Sequence, residues 1–86
     1  MLVKKNIAFR VRKISGKNIL IGGYKAYELN ETGLLIWEFI SSPKSIEEIA
    51  ESLSKEYEIN VSEVINDVNE YVNYLLSVDA LVKVGE

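Results

Sequence analysis

Tyr27-Glu28-Leu29-Asn30-Glu31-Thr32-Gly33-Leu34-Leu35-Ile36-Trp37 carries a strand straight into a helix with no loop between them. Asn30 is the hinge. Its side-chain oxygen can accept from the backbone N–H groups that open the helix, and Leu29 and Leu34 flank it at the spacing of a hydrophobic staple. The angle between strand and helix is therefore set locally. A strand edge held rigidly beside a helix is a groove suited to an extended peptide.

Working back toward the N-terminus, residues 7–14 alternate. Ile7, Phe9 and Val11 fall on one side, with Ala8, Arg10 and Arg12 on the other, which predicts a strand with one wet face. Ser15-Gly16-Lys17-Asn18 reads as a turn, Ile19-Leu20-Ile21 as a second short strand, and Gly22-Gly23 as a second turn. Residues 24–29 form the third strand, with Tyr27 and Leu29 inward. The first third of the chain is thus expected to be a three-stranded antiparallel meander.

Working forward, the pattern becomes helical. The first helix is predicted over residues 31–41, stopped by Pro43. Ser45-Ile46-Glu47-Glu48 is a capping box, and it opens a second helix whose apolar positions Ile46, Ile49, Ala50, Leu53 and Tyr57 keep helical spacing. Asn60-Val61-Ser62-Glu63 repeats the device and starts a third helix that reaches about Val78. Its core stripe is Val61, Val64, Ile65, Val68, Val72, Leu75 and Leu76. Asp67, Tyr71, Tyr74 and Val78 lie along one flank of that stripe at spacings of three and four. Leu81-Val82-Lys83-Val84 is left as a short extended tail. The whole is a single α+β domain over residues 1–86, winged-helix-like, with an N-terminal sheet followed by three helices.

The chemistry such a chain can perform is narrow. It has 86 residues, 48% of them apolar, which supports one small core. Cysteine and histidine are both missing, which removes disulfides, thiolate sites, the commonest general base and the commonest metal ligand. Glu47, Glu48 and Glu51 sit on the wet side of a helix, without the burial that tunes a carboxylate for acid–base work. Gly22-Gly23 precedes a strand, not a helix, and so lacks the setting of a phosphate cradle. No catalytic residue, metal or cofactor is expected. The N-terminus lacks a signal-like apolar run, and no segment approaches the roughly 20 apolar residues of a membrane span, so a cytoplasmic location is expected.

Charge is divided unevenly along the chain. Residues 1–30 carry seven basic groups against the single acid Glu28, a net +6, and residues 31–86 carry three against twelve, a net −9. Two solvated faces would account for this. A basic sheet that steers an acidic ligand is the functional alternative. DNA binding by the third helix is disfavoured, because from Val61 to Ala80 there is no lysine or arginine, while Glu63, Asp67, Glu70 and Asp79 would repel phosphates.

Tyr27-x-Leu29-Asn30-Glu31-Thr32-Gly33-x-x-Ile36-Trp37, with Ile46-Glu47-Glu48-Ile49-Ala50-x-x-Leu53, Tyr57, Val64-x-x-Asp67-Val68 and Leu75, resembles the PqqD-like proteins. These are precursor-peptide recognition elements of pathways to ribosomally synthesised, post-translationally modified peptides. The resemblance spans about residues 7–84. It implies a non-catalytic adaptor that binds a leader segment as an added strand on the third strand, beside the third helix, and delivers it to a maturation enzyme or leader protease. Where the family often has glycine after the first helix and near the end of the third, this chain has Ser41-Ser42-Pro43 and Asp79-Ala80. The peptide-binding residues expected on this reading are Tyr24, Lys25, Ala26, Tyr27 and Glu28 on the strand, and Asp67, Val68, Tyr71 and Tyr74 on the helix. Tyr71 completing the core and Tyr74 as an ordinary surface ring are the structural alternatives. The molecule is expected to be a monomer or homodimer, with neither nucleic acid nor membrane as partner. A protein-only adaptor is the remaining alternative.

Overall fold

The computed structural model describes residues 1–85. In chain order the elements are β1 (Leu2–Lys5), β2 (Phe9–Ile14), β3 (Lys17–Gly22), β4 (Lys25–Leu29), α1 (Glu31–Phe39), β5 (Lys44–Ser45), α2 (Ile46–Tyr57), α3 (Val61–Ser77) and β6 (Leu81–Val84). This is the expected α+β arrangement of antiparallel sheets and three helices, with one more sheet than the sequence indicated.

Two tight turns set the meander β2-β3-β4. Ser15 and Gly16 both have positive φ, 51° and 79°, as a two-residue type I′ turn requires. Gly23 has φ 60° and Tyr24 does not, the pattern of type II′ with glycine first. Because the first turn is only Ser15-Gly16, β3 begins at Lys17 and includes Asn18, two residues earlier than expected. Pairing of Val11 with Leu20 and of Leu20 with Tyr27 puts the three on the inner face, where they join the core. Phe9 pairs with Gly22, and its ring lies where a Cβ on Gly22 would be. Glycine is needed there for the ring to lie flat on the strand.

The first strand of the meander, β2, starts at Phe9 rather than at residue 7. Asn6 interrupts the alternation, its Oδ1 accepting from the Ala8 N–H at 3.0 Å and its carbonyl from the Phe9 N–H at 3.0 Å. Ile7, expected inward, is consequently fully exposed at the tip of that turn.

The second sheet has the order β5-β1-β6, with β1 antiparallel to both neighbours. Val3 pairs with Lys44 on one side and Lys83 on the other and is completely buried. The expected tail at 81–84 is therefore a paired strand. Asn6 also fastens this corner to the end of α3, donating from its side chain to the Asp79 carbonyl and from its backbone to the Ala80 carbonyl, both at 2.9 Å.

The helix starts follow the sequence signals closely. Asn30 Oδ1 accepts from the Gly33 N–H at 2.7 Å. Ser45 and Glu48 complete both halves of their capping box, at 3.1 and 2.9 Å. At Asn60 only one half forms: the Glu63 carboxylate accepts from the Asn60 N–H at 3.1 Å, but the Glu63 N–H bonds the Asn60 backbone carbonyl instead of its side chain. Helix α1 stops at Phe39, two residues short of the expected end, and 41–43 lead into β5. After α3, Asp79 adopts φ 67°, the left-handed conformation that glycine takes most easily. The core is Leu20 and Leu29 from the meander, Ile36 and Ile40 from the α1 region, Ile49 and Leu53 from α2, Val68, Val72 and Leu75 from α3, and Val3 and Leu81 from the second sheet.

Candidate functional site

Strand β4 is an edge strand of the meander, and no described strand pairs with its outer side. The two-residue turn makes Gly22 and Lys25 the hydrogen-bonded pair that closes the hairpin. By alternation, Tyr27 and Leu29 also turn their backbone groups toward β3, and Ala26 and Glu28 direct theirs outward. Ala26 and Glu28 are exposed, so the N–H and C=O groups of both are open to a guest strand.

Beside this edge lies a cleft of about 480 Å³ lined by Glu28, Asn30, Thr32, Asp67, Glu70, Tyr71 and Tyr74. Helix α3 supplies one wall, and the β4–α1 junction supplies the other. Tyr74 connects them: its ring meets Tyr27 edge-on at 6.2 Å and Tyr71 edge-on at 6.0 Å between centroids. Such contacts hold rings in fixed orientation and add stability beyond their buried area. The tip of the Tyr71 side chain lies against Gly33 in the first turn of α1, where a Cβ would overlap the phenol. Burial pushes the Tyr71 phenol above its ordinary pKa; the Asn30 backbone opposes the shift, and the neighbouring Tyr74 adds to it. Thr32 is held by a 3.1 Å hydrogen bond to the Tyr57 hydroxyl of α2.

A second cleft, about 390 Å³, continues along the other end of the same strand. It is lined by Ala8, Phe9, Gly22, Gly23, Tyr24, Lys25, Ser77, Val78 and Asp79. Glu28 thus belongs with Asp67 and Glu70, and Lys25 with the C-terminal end of α3. Asp67, Tyr71, Tyr74 and Val78 are the flank that faces β4, which periodicity alone could not specify.

The residues expected from sequence are distributed as follows. Glu28, Asp67, Tyr71 and Tyr74 line the first cleft together, Tyr27 touches Tyr74, and Tyr24 and Lys25 line the second cleft. Ala26 lies on the exposed edge between them. Val68 is fully buried and lies in the core beneath the groove, out of reach of any ligand, because it occupies the inward position of α3 between Val64 and Val72. Asn30, Thr32 and Glu70 were missed. Asn30 and Thr32 lie in the very stretch that fixes the junction, and Glu70 stands one helical turn beyond Asp67.

The cations are not concentrated at this groove. Lys5, Arg10 and Lys13 line a separate cleft of about 460 Å³ with Trp37 and Glu38, on the β2 side of the meander. Lys5 lies over the Trp37 ring at 4.9 Å, and burial there lowers its pKa despite the charge of Glu38. At β4 the fold gathers carboxylates instead. The cleft beside the Glu28 end of β4 is thus lined by carboxylates and by none of the cations of the basic half.

The family model described as Coenzyme PQQ synthesis protein D (PqqD) matches residues 19–81. No curated protein matches the chain by sequence. Among solved structures, the fold is similar to the solution structure of the PqqD truncation of Methylobacterium extorquens PqqCD, a functional, stand-alone recognition element for ribosomally synthesised and post-translationally modified peptides. That match has TM-score 0.80 and 14% identity over 95% of this chain and 89% of the other. A second is TbiB1 in complex with the TbiA(beta) leader peptide, at TM-score 0.78 and 21% identity over 96% of this chain and 99% of the other. No helix is long and apolar enough to cross a membrane among the described residues.

Proposed function

The chain belongs to the PqqD family, and on that footing we propose that it is a non-catalytic adaptor that binds the leader segment of a ribosomal precursor peptide on β4 beside α3. It then presents the bound precursor to a maturation enzyme or leader protease. The observation that carries this reading is the outer edge of β4, unpaired among the described residues, where Ala26 and Glu28 direct backbone groups outward beside a cleft lined by Tyr71 and Tyr74. Two similar folds, one of them solved with a leader peptide, give the reading independent support.

The energetic balance is close. Four edge groups pairing with a guest strand contribute roughly 0.5–1.5 kcal/mol each. Two apolar guest side chains buried against the tyrosines add roughly 1.5–3 kcal/mol each. Association costs roughly 4–15 kcal/mol, so micromolar affinity requires both gains near the top of their ranges and a cost near the bottom of its own, as a preformed groove favours.

Titrating the leader peptide of a neighbouring precursor gene is expected to shift the amide resonances of residues 24–29 and of the flank Asp67 to Val78 together. Shifts confined to β2 or the second sheet would rule the groove out. Ala26→Pro removes one outward donor, and it is expected to weaken binding about two- to twelvefold, the equivalent of one hydrogen bond. An unchanged affinity in a folded variant would mean that the guest docks elsewhere.

A further inference from the structure

The groove has a sign. Asp67 and Glu70 are exposed on α3, and among the described residues no hydrogen bond or ion pair engages either carboxylate. Glu28, on the opposite wall, is shared with Lys17 through an exposed contact of 3.8 Å, too open to neutralise it firmly. No lysine or arginine lines this cleft. None occurs anywhere on α3, so the helix cannot turn a cation inward to compensate. At the other end of β4, Lys25 and Asp79 share the second cleft and leave it balanced.

Building on the adaptor reading above, we infer that the groove selects a guest strand with lysine or arginine at the position that passes Asp67 and Glu70, at the Glu28 end of β4. The docking site itself is defined by the open β4 edge and the tyrosine floor; the carboxylates decide which sequences it accepts. A cationic side chain has two ways to bind there. Its head pairs with Asp67 and Glu70, and its aliphatic stem lies along the rings of Tyr71 and Tyr74, which also offer a cation–π surface. An acidic guest side chain at that position would meet like charges in a partly enclosed cleft, a penalty that excludes wrong partners more effectively than a new contact attracts right ones.

The test is a selection from a random twelve-residue peptide display library, run in parallel on the wild-type chain and on the double variant Asp67→Lys, Glu70→Lys. Both positions are exposed, and circular dichroism verifies that the variant folds. Wild-type selectants are expected to share a lysine or arginine at one register position, and the charge-reversed variant is expected to enrich aspartate or glutamate there. For one wild-type selectant, Asp67→Asn with Glu70→Gln is expected to lower affinity roughly two- to thirtyfold, the loss of two exposed ion pairs.

Selectants that shift the β4 and α3 amides but show no charge preference would overturn this inference and leave the peptide-groove reading standing. Selectants that bind away from β4, or a library that yields none, would overturn both.

Discussion

Gly33 is the residue on which the groove turns. It sits in the first turn of α1, where glycine is costly for a helix, and its reason is the Tyr71 side chain pressed onto it. Gly33→Ala should force the phenol away and destabilise the fold by about 1–3 kcal/mol, the usual cost of overpacking. Urea denaturation measures that loss. In a Tyr71→Ala background the same substitution should cost far less, which identifies the ring as the cause.

Tyr71 also predicts a pH response. Its pKa is raised in the folded state, so folding favours the protonated phenol. The contribution is complete below the ordinary tyrosine value near 10 and is lost as pH climbs through the higher folded value. Stability is expected to fall above pH 10 more steeply in the wild type than in Tyr71→Phe, followed by denaturation at a series of alkaline pH values.

Among the elements, the strand-to-helix junction is held by one short bond from the Gly33 N–H to Asn30 Oδ1. Asn30→Ala should cost about 0.5–2 kcal/mol. Because Asn30 also lines the cleft, the same change should loosen the angle between β4 and α1 and weaken guest binding beyond what the stability loss explains. Thermal unfolding and titration calorimetry on one preparation separate the two effects. At the far end of α3, Asp79→Gly should be neutral or stabilising, since glycine enters the left-handed conformation without steric cost.

These elements also show what the sequence made legible. Caps at Asn30 and Ser45, the Gly23 turn and the three- and four-residue spacing of Asp67, Tyr71, Tyr74 and Val78 are local signals. Each could be recognised without knowing what lies across the core. Strand β1 could not: Leu2–Lys5 is too short for its alternation to stand out, and its partners are about 40 and 80 residues away. Ile7 was misplaced because Asn6 breaks the strand through a side-chain bond that periodicity does not register. Val68 was drawn into the site by its neighbour Asp67, although its spacing from Val64 and Val72 already marked it as core.

For the whole molecule, the charge of the two halves of the chain does not give the sign of the cleft beside β4. Folding lays α3, from the acidic half, against β4, from the basic half, and the resulting groove takes its sign from Asp67, Glu70 and Glu28. Lys5, Arg10 and Lys13 of the basic half line a separate cleft on the β2 side. The second sheet is what closes the molecule. Val3→Ala, at its centre, should cost about 1–3 kcal/mol in urea denaturation through lost burial and the cavity left behind.

Leu2 is paired with Val84, so the chain segments at the two margins of this domain leave it side by side. They leave from the sheet that takes no part in the β4 groove. A larger protein could therefore carry this unit spliced into one of its surface hairpins, or fused at either extremity, with the β4 edge still turned outward. On the adaptor reading, leashing it to a catalytic domain by a short flexible connector would raise the local concentration of bound peptide without a single new contact.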